Sequence, residues 1–139
     1  MCSSDLGFGN GTNGATSSAK DRMVYMTTTG KLRFGVYATT PRTVISPAAY
    51  NDGRWHLVTA TFSTDTGIRL FVDGALVASD ATITAAEPNS GYFRAGYDSV
   101  QGWPDEPTSH WFAGSISHLS IFGDRLSTTE VAAQYAAAG

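Results

Sequence analysis

Residues 51–79, NDGRWHLVTATFSTDTGIRLFVDGALVAS, decide the predicted fold. The turn signal Asn51-Asp52-Gly53 precedes a run of β-branched and aromatic residues, Arg54–Phe62, which is predicted to be an interior strand. After a turn at residues 65–67, apolar side chains occupy alternate positions, and Asp73-Gly74 then forms a tight turn into another apolar run. The stretch therefore predicts two consecutive hairpins, which is a meander.

Another hairpin is predicted upstream. Residues 22–28 and 31–38 flank the turn candidate Thr29-Gly30, and apolar residues alternate with polar ones in the second run. The short β-branched run Thr43–Ser46 lies between Pro41 and Pro47. Because proline cannot donate a ladder hydrogen bond, this run is predicted to be an edge strand.

The downstream half predicts two further strands and a helix. Residues 92–97 form one strand, and WFAGSISHLSIF, residues 111–122, forms a long one with a bulge near Ser117-His118 that brings its two apolar halves into phase. Ser127 and Glu130 form a capping box at the start of a short helix. The predicted fold class is all-β: an antiparallel two-sheet β-sandwich of the jelly-roll kind with one short C-terminal helix.

The composition and charge of the chain argue against nucleic-acid binding and membrane insertion. The 139 residues carry nine basic and twelve acidic side chains, a formal net charge of −3, and the basic residues are scattered. This distribution argues against nucleic acid as a partner. No apolar run approaches the roughly 18 residues of a membrane span, so membrane insertion is not expected. The single cysteine, Cys2, cannot close an internal disulfide.

Two segments in sequence resemble the laminin-G-like, concanavalin A-like family. They are NDGRWHLVTATF continuing into GIRLFVDGALVAS, and FAGSISHLSIF followed by Asp124-Arg125-Leu126-Ser127 and the helix, so the resemblance covers roughly residues 23–139. It implies a jelly-roll domain of a larger secreted, multidomain protein. Such domains bind sugars, matrix components or other proteins, so the parent protein is expected to be extracellular or on the cell surface.

The resemblance also implies strands in front of Met23, where this chain has a lead-in rich in Gly, Ser, Thr and Asn. Residues 1–22 are therefore interpreted as flexible, with no regular structure from Gly7 to Ser18, and the front strands of the domain as missing. Strands that lack these partners would keep open hydrogen-bonding edges. Self-association through such edges is accordingly expected.

The long loop at residues 97–111 is predicted to form a ligand site. Aromatic rings stack on sugar rings, while carboxylates and amides bind hydroxyls, so the loop favours a polysaccharide or a glycoprotein glycan. An alternative interpretation is that its tryptophan pins the loop onto the sandwich. Calcium is a further expectation, with Asp98 and Asp105 as oxygen ligands. The predicted ligand-binding residues are Tyr97, Asp98, Gln101, Trp103, His110 and Trp111.

The remaining conspicuous residues are predicted to have structural roles, not catalytic ones. Trp55 and His56 point to opposite faces of a strand, so Trp55 is predicted in the core and His56 half-exposed. Glycosidases of this fold class place two carboxyl groups in a Glu-x-Asp-x-Glu strand, a run that this sequence lacks. The predicted function is a non-catalytic carbohydrate-binding or adhesive module. The alternatives are a protein-binding or structural spacer and, in third place, a glycoside hydrolase fragment.

Overall fold

A computed structural model describes residues 4–12 and 14–138 of the chain. Within these ranges the fold consists of eight strands followed by one helix. The elements are β1 (Ser4–Gly9), β2 (Lys20–Met26), β3 (Lys31–Ala38), β4 (Thr40–Ala49), β5 (Val58–Ser63), β6 (Gly67–Val72), β7 (Ala75–Asp80), β8 (Tyr92–Ala95) and α1 (Thr128–Ala138). No described helix is long and apolar enough to cross a membrane.

The strands form two antiparallel sheets, which confirms the predicted sandwich. One sheet has the order β4-β3-β2-β1-β8 and the other the order β5-β6-β7. Both predicted hairpins of the 51–79 stretch are present, and Asp73 and Gly74 at the β6–β7 turn both have positive φ angles, 52° and 78°. Positive φ at both central positions matches the twist of the flanking strands, which is why Asp-Gly suits this turn.

The main core lies between the sheets. Alternate residues of β3, Leu32, Phe34 and Val36, face Ile68 and Leu70 of β6. A second cluster lies on the outer face of the five-stranded sheet, where the loop after β8 covers Met23 and Tyr25. The helix begins as predicted: the amide of Ser127 donates to Glu130 Oε2 at 2.7 Å and that of Glu130 to Ser127 Oγ at 3.2 Å.

The lead-in differs from its prediction. Residues 4–9 form β1, which lies between β2 and β8 in the five-stranded sheet, and β2 begins within the lead-in, at Lys20. Gly7 and Gly9 make the packing possible, because a Cβ at either position would lie within 3 Å of Met23 or Ser17. The glycine-rich composition predicts a loop, whereas these two glycines let Met23 and Ser17 approach the backbone of β1 closely. Residues 1–3, including Cys2, and residue 13 lie outside the described ranges.

The predicted strand 111–122 is wrong. Only Trp111 forms a β-bridge, to Tyr97, and the Phe112 amide donates to Gly96 O at 2.8 Å; the following residues are irregular and mostly exposed. Gly96, with φ of 83°, ends β8 at Ala95, so no neighbouring strand continues alongside this segment. The expected bulge at Ser117-His118 has no ladder to interrupt.

The strand predicted for residues 54–62 starts later and lies elsewhere. It begins at Val58, and among the described strands it is an edge strand, not an interior one. Its apolar face consists of Val58, Ala60 and Phe62, so alternation places His56, not Trp55, on the inner side. Trp55 is 70% exposed, and its predicted core position is wrong.

Candidate functional site

Trp103 lies at the centre of the loop that follows β8. The side chain is 4% exposed, with its ring edge-on to Tyr25 at 6.2 Å between centroids and tilted against Tyr37 at 6.4 Å. Tyr25 Oη donates to Pro104 O at 2.6 Å, and burial raises the pKa of this hydroxyl above its ordinary value. With its faces covered, Trp103 is placed to pin the loop and offers no ring face to a sugar.

Asp98 is also buried, in contact with an arginine. Its carboxylate forms an ion pair with Arg94 and accepts hydrogen bonds from Ser17 Oγ at 3.2 Å and from the Ser99 amide at 2.7 Å. Arg94 also donates to Ala15 O at 2.6 Å. This network joins the β1–β2 connection to the loop after β8, and it occupies the carboxylate that was predicted to bind a ligand.

Asp105 lies on the surface and is paired with Arg33, whose Nε and Nη2 are 3.0 and 2.6 Å from Oδ2. Asp98 and Asp105 are thus each neutralised by a guanidinium group. The described residues include no group of three or more potential metal-binding side chains. This arrangement does not fit a calcium site at the two carboxylates, because calcium would have to displace both arginines; the expected calcium stays a prediction.

The remaining predicted site residues are near the surface. Tyr97 and Trp111 stack at 4.2 Å between centroids, and Trp111 is 61% exposed. The guanidinium carbon of Arg94 lies over the Tyr97 ring, 5.6 Å from its centroid. His110 Nε2 is 3.1 Å from Glu106 Oε1, and the exposed Gln101 accepts a hydrogen bond at its backbone oxygen from Lys20 Nζ. Of the predicted aromatic residues, the Tyr97–Trp111 pair alone could present a ring to a ligand.

A groove of about 400 Å³ lies beside Trp55, at a place where no site was predicted. One wall is the turn before β5 and the other is the start of the irregular segment 112–126. We call it the Trp55 groove. Its side chains combine aromatic rings with an amide, a guanidinium and a hydroxyl: Tyr50, Asn51, Arg54, Trp55, Phe112 and Ser115.

His56 anchors the turn that carries Trp55. Its Nδ1 is 2.8 Å from Asp73 Oδ2 and its Nε2 is 3.1 Å from Asp52 Oδ1, while Tyr50 packs edge-on against the ring. Burial lowers the pKa of His56, but the hydrogen bonds to the two carboxylates outweigh this effect and leave the pKa raised. The protonated ring donates to both carboxylates at once, which joins the turn to the β6–β7 hairpin.

The sequence prediction did not find the Trp55 groove, because it began the strand at Arg54 and placed Trp55 on the core face of that strand. A signal was nevertheless available. Asp52 and His56 are four residues apart with Gly53 between them, so a turn that extends to residue 56 could have been inferred from their pairing. Such a turn takes Trp55 out of the strand and leaves its side chain exposed.

The proteins that are similar to this chain are a solved structure and the members of one family. No curated protein matches the chain. An S-layer domain-containing protein from Clostridium thermocellum ATCC 27405, known as a crystal structure, is similar at 22% identity with a TM-score of 0.49. The match covers 81% of this chain and 55% of that one, so the chain spans just over half of that structure's length. The laminin-G family model described as the concanavalin A-like lectin/glucanases superfamily matches residues 5–132, and the chain belongs to this family.

Proposed function

We propose that this domain is a non-catalytic glycan-binding module of an extracellular or cell-surface protein, and that the glycan binds in the Trp55 groove. The observation that supports the proposal most directly is the position of Trp55. A large aromatic side chain that is 70% exposed is costly to leave in water, and here it borders a groove.

The chemistry of the groove suits a neutral sugar. The indole face of Trp55 can stack on the apolar face of a pyranose ring, while Asn51, Arg54 and Ser115 supply donors and acceptors for its hydroxyls. The hydrogen bonds of His56 hold the turn in place before a ligand arrives. Such preorganisation reduces the entropy cost of binding.

Binding without hydrolysis is proposed because the described residues lining the groove include no carboxyl group. A retaining glycosidase needs an acid and a nucleophile about 5 Å apart on either side of the bond that it cleaves. Asp52, the carboxylate next to the groove, is held by His56 and by the Arg54 amide at 3.0 Å.

Affinity electrophoresis against a panel of neutral polysaccharides tests the proposal, with Trp55→Ala compared with Trp111→Ala. We expect Trp55→Ala to weaken retention about ten-fold or more, the loss of one stacked ring, and Trp111→Ala to leave it within about two-fold. EDTA is expected to have no effect, because the contacts proposed for the sugar come from the side chains of the groove.

Other outcomes identify other functions. If Trp111→Ala abolishes retention while Trp55→Ala does not, the glycan binds to the Tyr97–Trp111 pair, as the sequence predicts. If no polysaccharide retards the wild type, the domain is a protein-binding or structural spacer. Release of reducing sugar by the pure chain would contradict the non-catalytic assignment.

A further inference from the structure

The turn that carries Trp55 has few bonds to the rest of the domain. The residues that flank it are held, since the Tyr50 amide and the Leu57 carbonyl oxygen each form a backbone hydrogen bond with a distant part of the chain, at 2.8 and 2.9 Å. Residues 51–56 form no backbone–backbone hydrogen bond with any described residue, and residues 51–55 are exposed. The position of Trp55 therefore depends on side-chain contacts.

The imidazole ring of His56 provides these contacts, and its two nitrogens bind different parts of the chain. Nδ1 is 2.8 Å from Oδ2 of Asp73, in the β6–β7 turn, and so attaches the Trp55 turn to the hairpin. Nε2 is 3.1 Å from Oδ1 of Asp52, four residues back, and so closes the turn on itself. Because Asp52 Oδ1 also accepts a hydrogen bond from the Arg54 amide at 3.0 Å, the Nε2 contact fixes the backbone immediately before Trp55.

The groups that face the His56 ring favour its protonated form. They are Asp52 and Asp73 on its two sides, Tyr50 edge-on at 5.1 Å between centroids, and Arg54, whose Nε is 3.8 Å from Asp52 and whose side chain is 81% exposed. An ionised carboxylate only accepts hydrogen bonds, so both contacts need an N–H, and only the protonated ring has two. The neutral ring must present a lone pair to one of the carboxylates.

The geometry shows which contact is lost when His56 releases one proton. Asp73 is held independently, because its Oδ1 accepts the Leu57 amide at 3.0 Å, and it is the less exposed carboxylate, at 32% against 44% for Asp52. The shorter hydrogen bond in the more buried setting is the stronger one, so the remaining proton stays on Nδ1. Nε2 then turns a lone pair towards Asp52, and the turn is no longer closed.

We propose that His56 is a positioning residue for the glycan site, and that the proton on its Nε2 holds Trp55 in the orientation that binds the sugar. The proposal rests on the function proposed above and names its regulation: the protonated form binds the glycan more tightly than the neutral form. This tighter binding is present at low pH and is lost as pH rises through the pKa of His56, which burial lowers but the hydrogen bonds to both carboxylates raise above its ordinary value. By linkage, a bound glycan must in turn raise this pKa.

The pH dependence of glycan affinity tests the proposal. The probe is the neutral polysaccharide of the panel that retards the wild type most strongly, because it has no titrating group of its own, and titration calorimetry measures its binding at a series of pH values. We expect the affinity of the wild type to fall about three-fold between about pH 5 and about pH 8, and that of His56→Gln to be independent of pH.

His110→Gln is the matched control. His110 also pairs with a carboxylate four residues away at 3.1 Å, that of Glu106, but it does not line the Trp55 groove. This variant should keep the wild-type profile. A flat profile for the wild type, or a profile that survives in His56→Gln, overturns the proposal.

NMR of the protein without glycan separates this proposal from the proposed function. The indole N–H resonance of Trp55, assigned with Trp55→Ala, should shift with the same midpoint as the His56 ring and should be independent of pH in His56→Gln. Asp52→Asn should weaken this coupling, because an amide can donate to the neutral ring as well as accept from the protonated one. If Trp55 follows His56 but no polysaccharide binds, the proposed function fails and the positioning role is supported. If Trp55 does not follow His56, the positioning role is overturned even where a polysaccharide binds.

Discussion

Residues 97–110 and 112–126 are consecutive irregular segments that differ in almost every physical respect. The first, rich in polar residues and prolines, is held against the five-stranded sheet by the buried side chains of Asp98 and Trp103. The second is rich in strand-forming residues, yet Leu119 and Ile121 are about half exposed. The comparison shows that the apolar content of a segment does not determine its burial, which depends on whether another element offers a surface to cover.

The largest expected effect comes from one of two apolar side chains that differ widely in burial, Trp103 and Ile121. Trp103→Ala should lower the free energy of unfolding by about 4 kcal/mol, because the ring fills the space between Tyr25 and Tyr37. Ile121→Ala, in the exposed segment, should change it by less than about 0.5 kcal/mol. Urea denaturation measures both, and comparable losses would show that residues 112–126 are packed after all.

Trp103→Phe refines this comparison. The indole Nε1 is buried without a partner among the described residues, so its desolvation already reduces the benefit of burying the ring. The phenyl ring removes this N–H while it keeps most of the packing. We expect a loss well below that of Trp103→Ala, and an equal loss would mean that Nε1 has a hydrogen-bond partner.

An intermediate effect is expected from the two aspartates of the first segment. Asp98→Ala leaves Arg94 with its charge largely buried and should cost about 3 kcal/mol. Asp105→Ala removes a pair whose carboxylate is 54% exposed, and should cost less than about 1 kcal/mol. Thermal unfolding distinguishes them; a midpoint lowered equally by both changes would contradict the structural role of the buried pair.

The smallest expected effect is the dependence of the folding stability on pH. Because the pKa of His56 is raised in the folded chain, the protonated ring stabilises the fold fully below its unfolded pKa of about 6.5, and this contribution is lost as pH rises through the folded value. We expect stability to fall by less than about 1 kcal/mol across this range, owing to solvent screening. His56→Gln should remove this slope, and a slope that persists would assign the titration to another group.

Much of the fold could be predicted from local patterns. The β2–β3 and β6–β7 hairpins and the start of the helix depend on turn residues, alternation and capping within short stretches of chain. The errors arise where distant partners decide. Gly7 and Gly9 form a strand because Met23 and Ser17 lie against them. Residues 111–122 do not, because β8 ends at Ala95.

The candidate site shows the same division. The composition of residues 97–111 predicted aromatic and acidic ligand-binding residues, but Trp103 and Asp98 are buried and the Trp55 groove joins two segments that are almost sixty residues apart in sequence. The sequence shows which side chains could stack on a sugar or bind a cation. It does not show which of these side chains another part of the chain will bury.

The amino-acid sequence by itself determined the class of this protein: an antiparallel sandwich built from hairpins, whose turns and side-chain alternation are local properties. Only the tertiary structure decided which tryptophan is buried and which carboxylates are neutralised by arginine. The physical reason is that burial and pairing belong to two surfaces at once, and the position of the second surface is set by the whole chain.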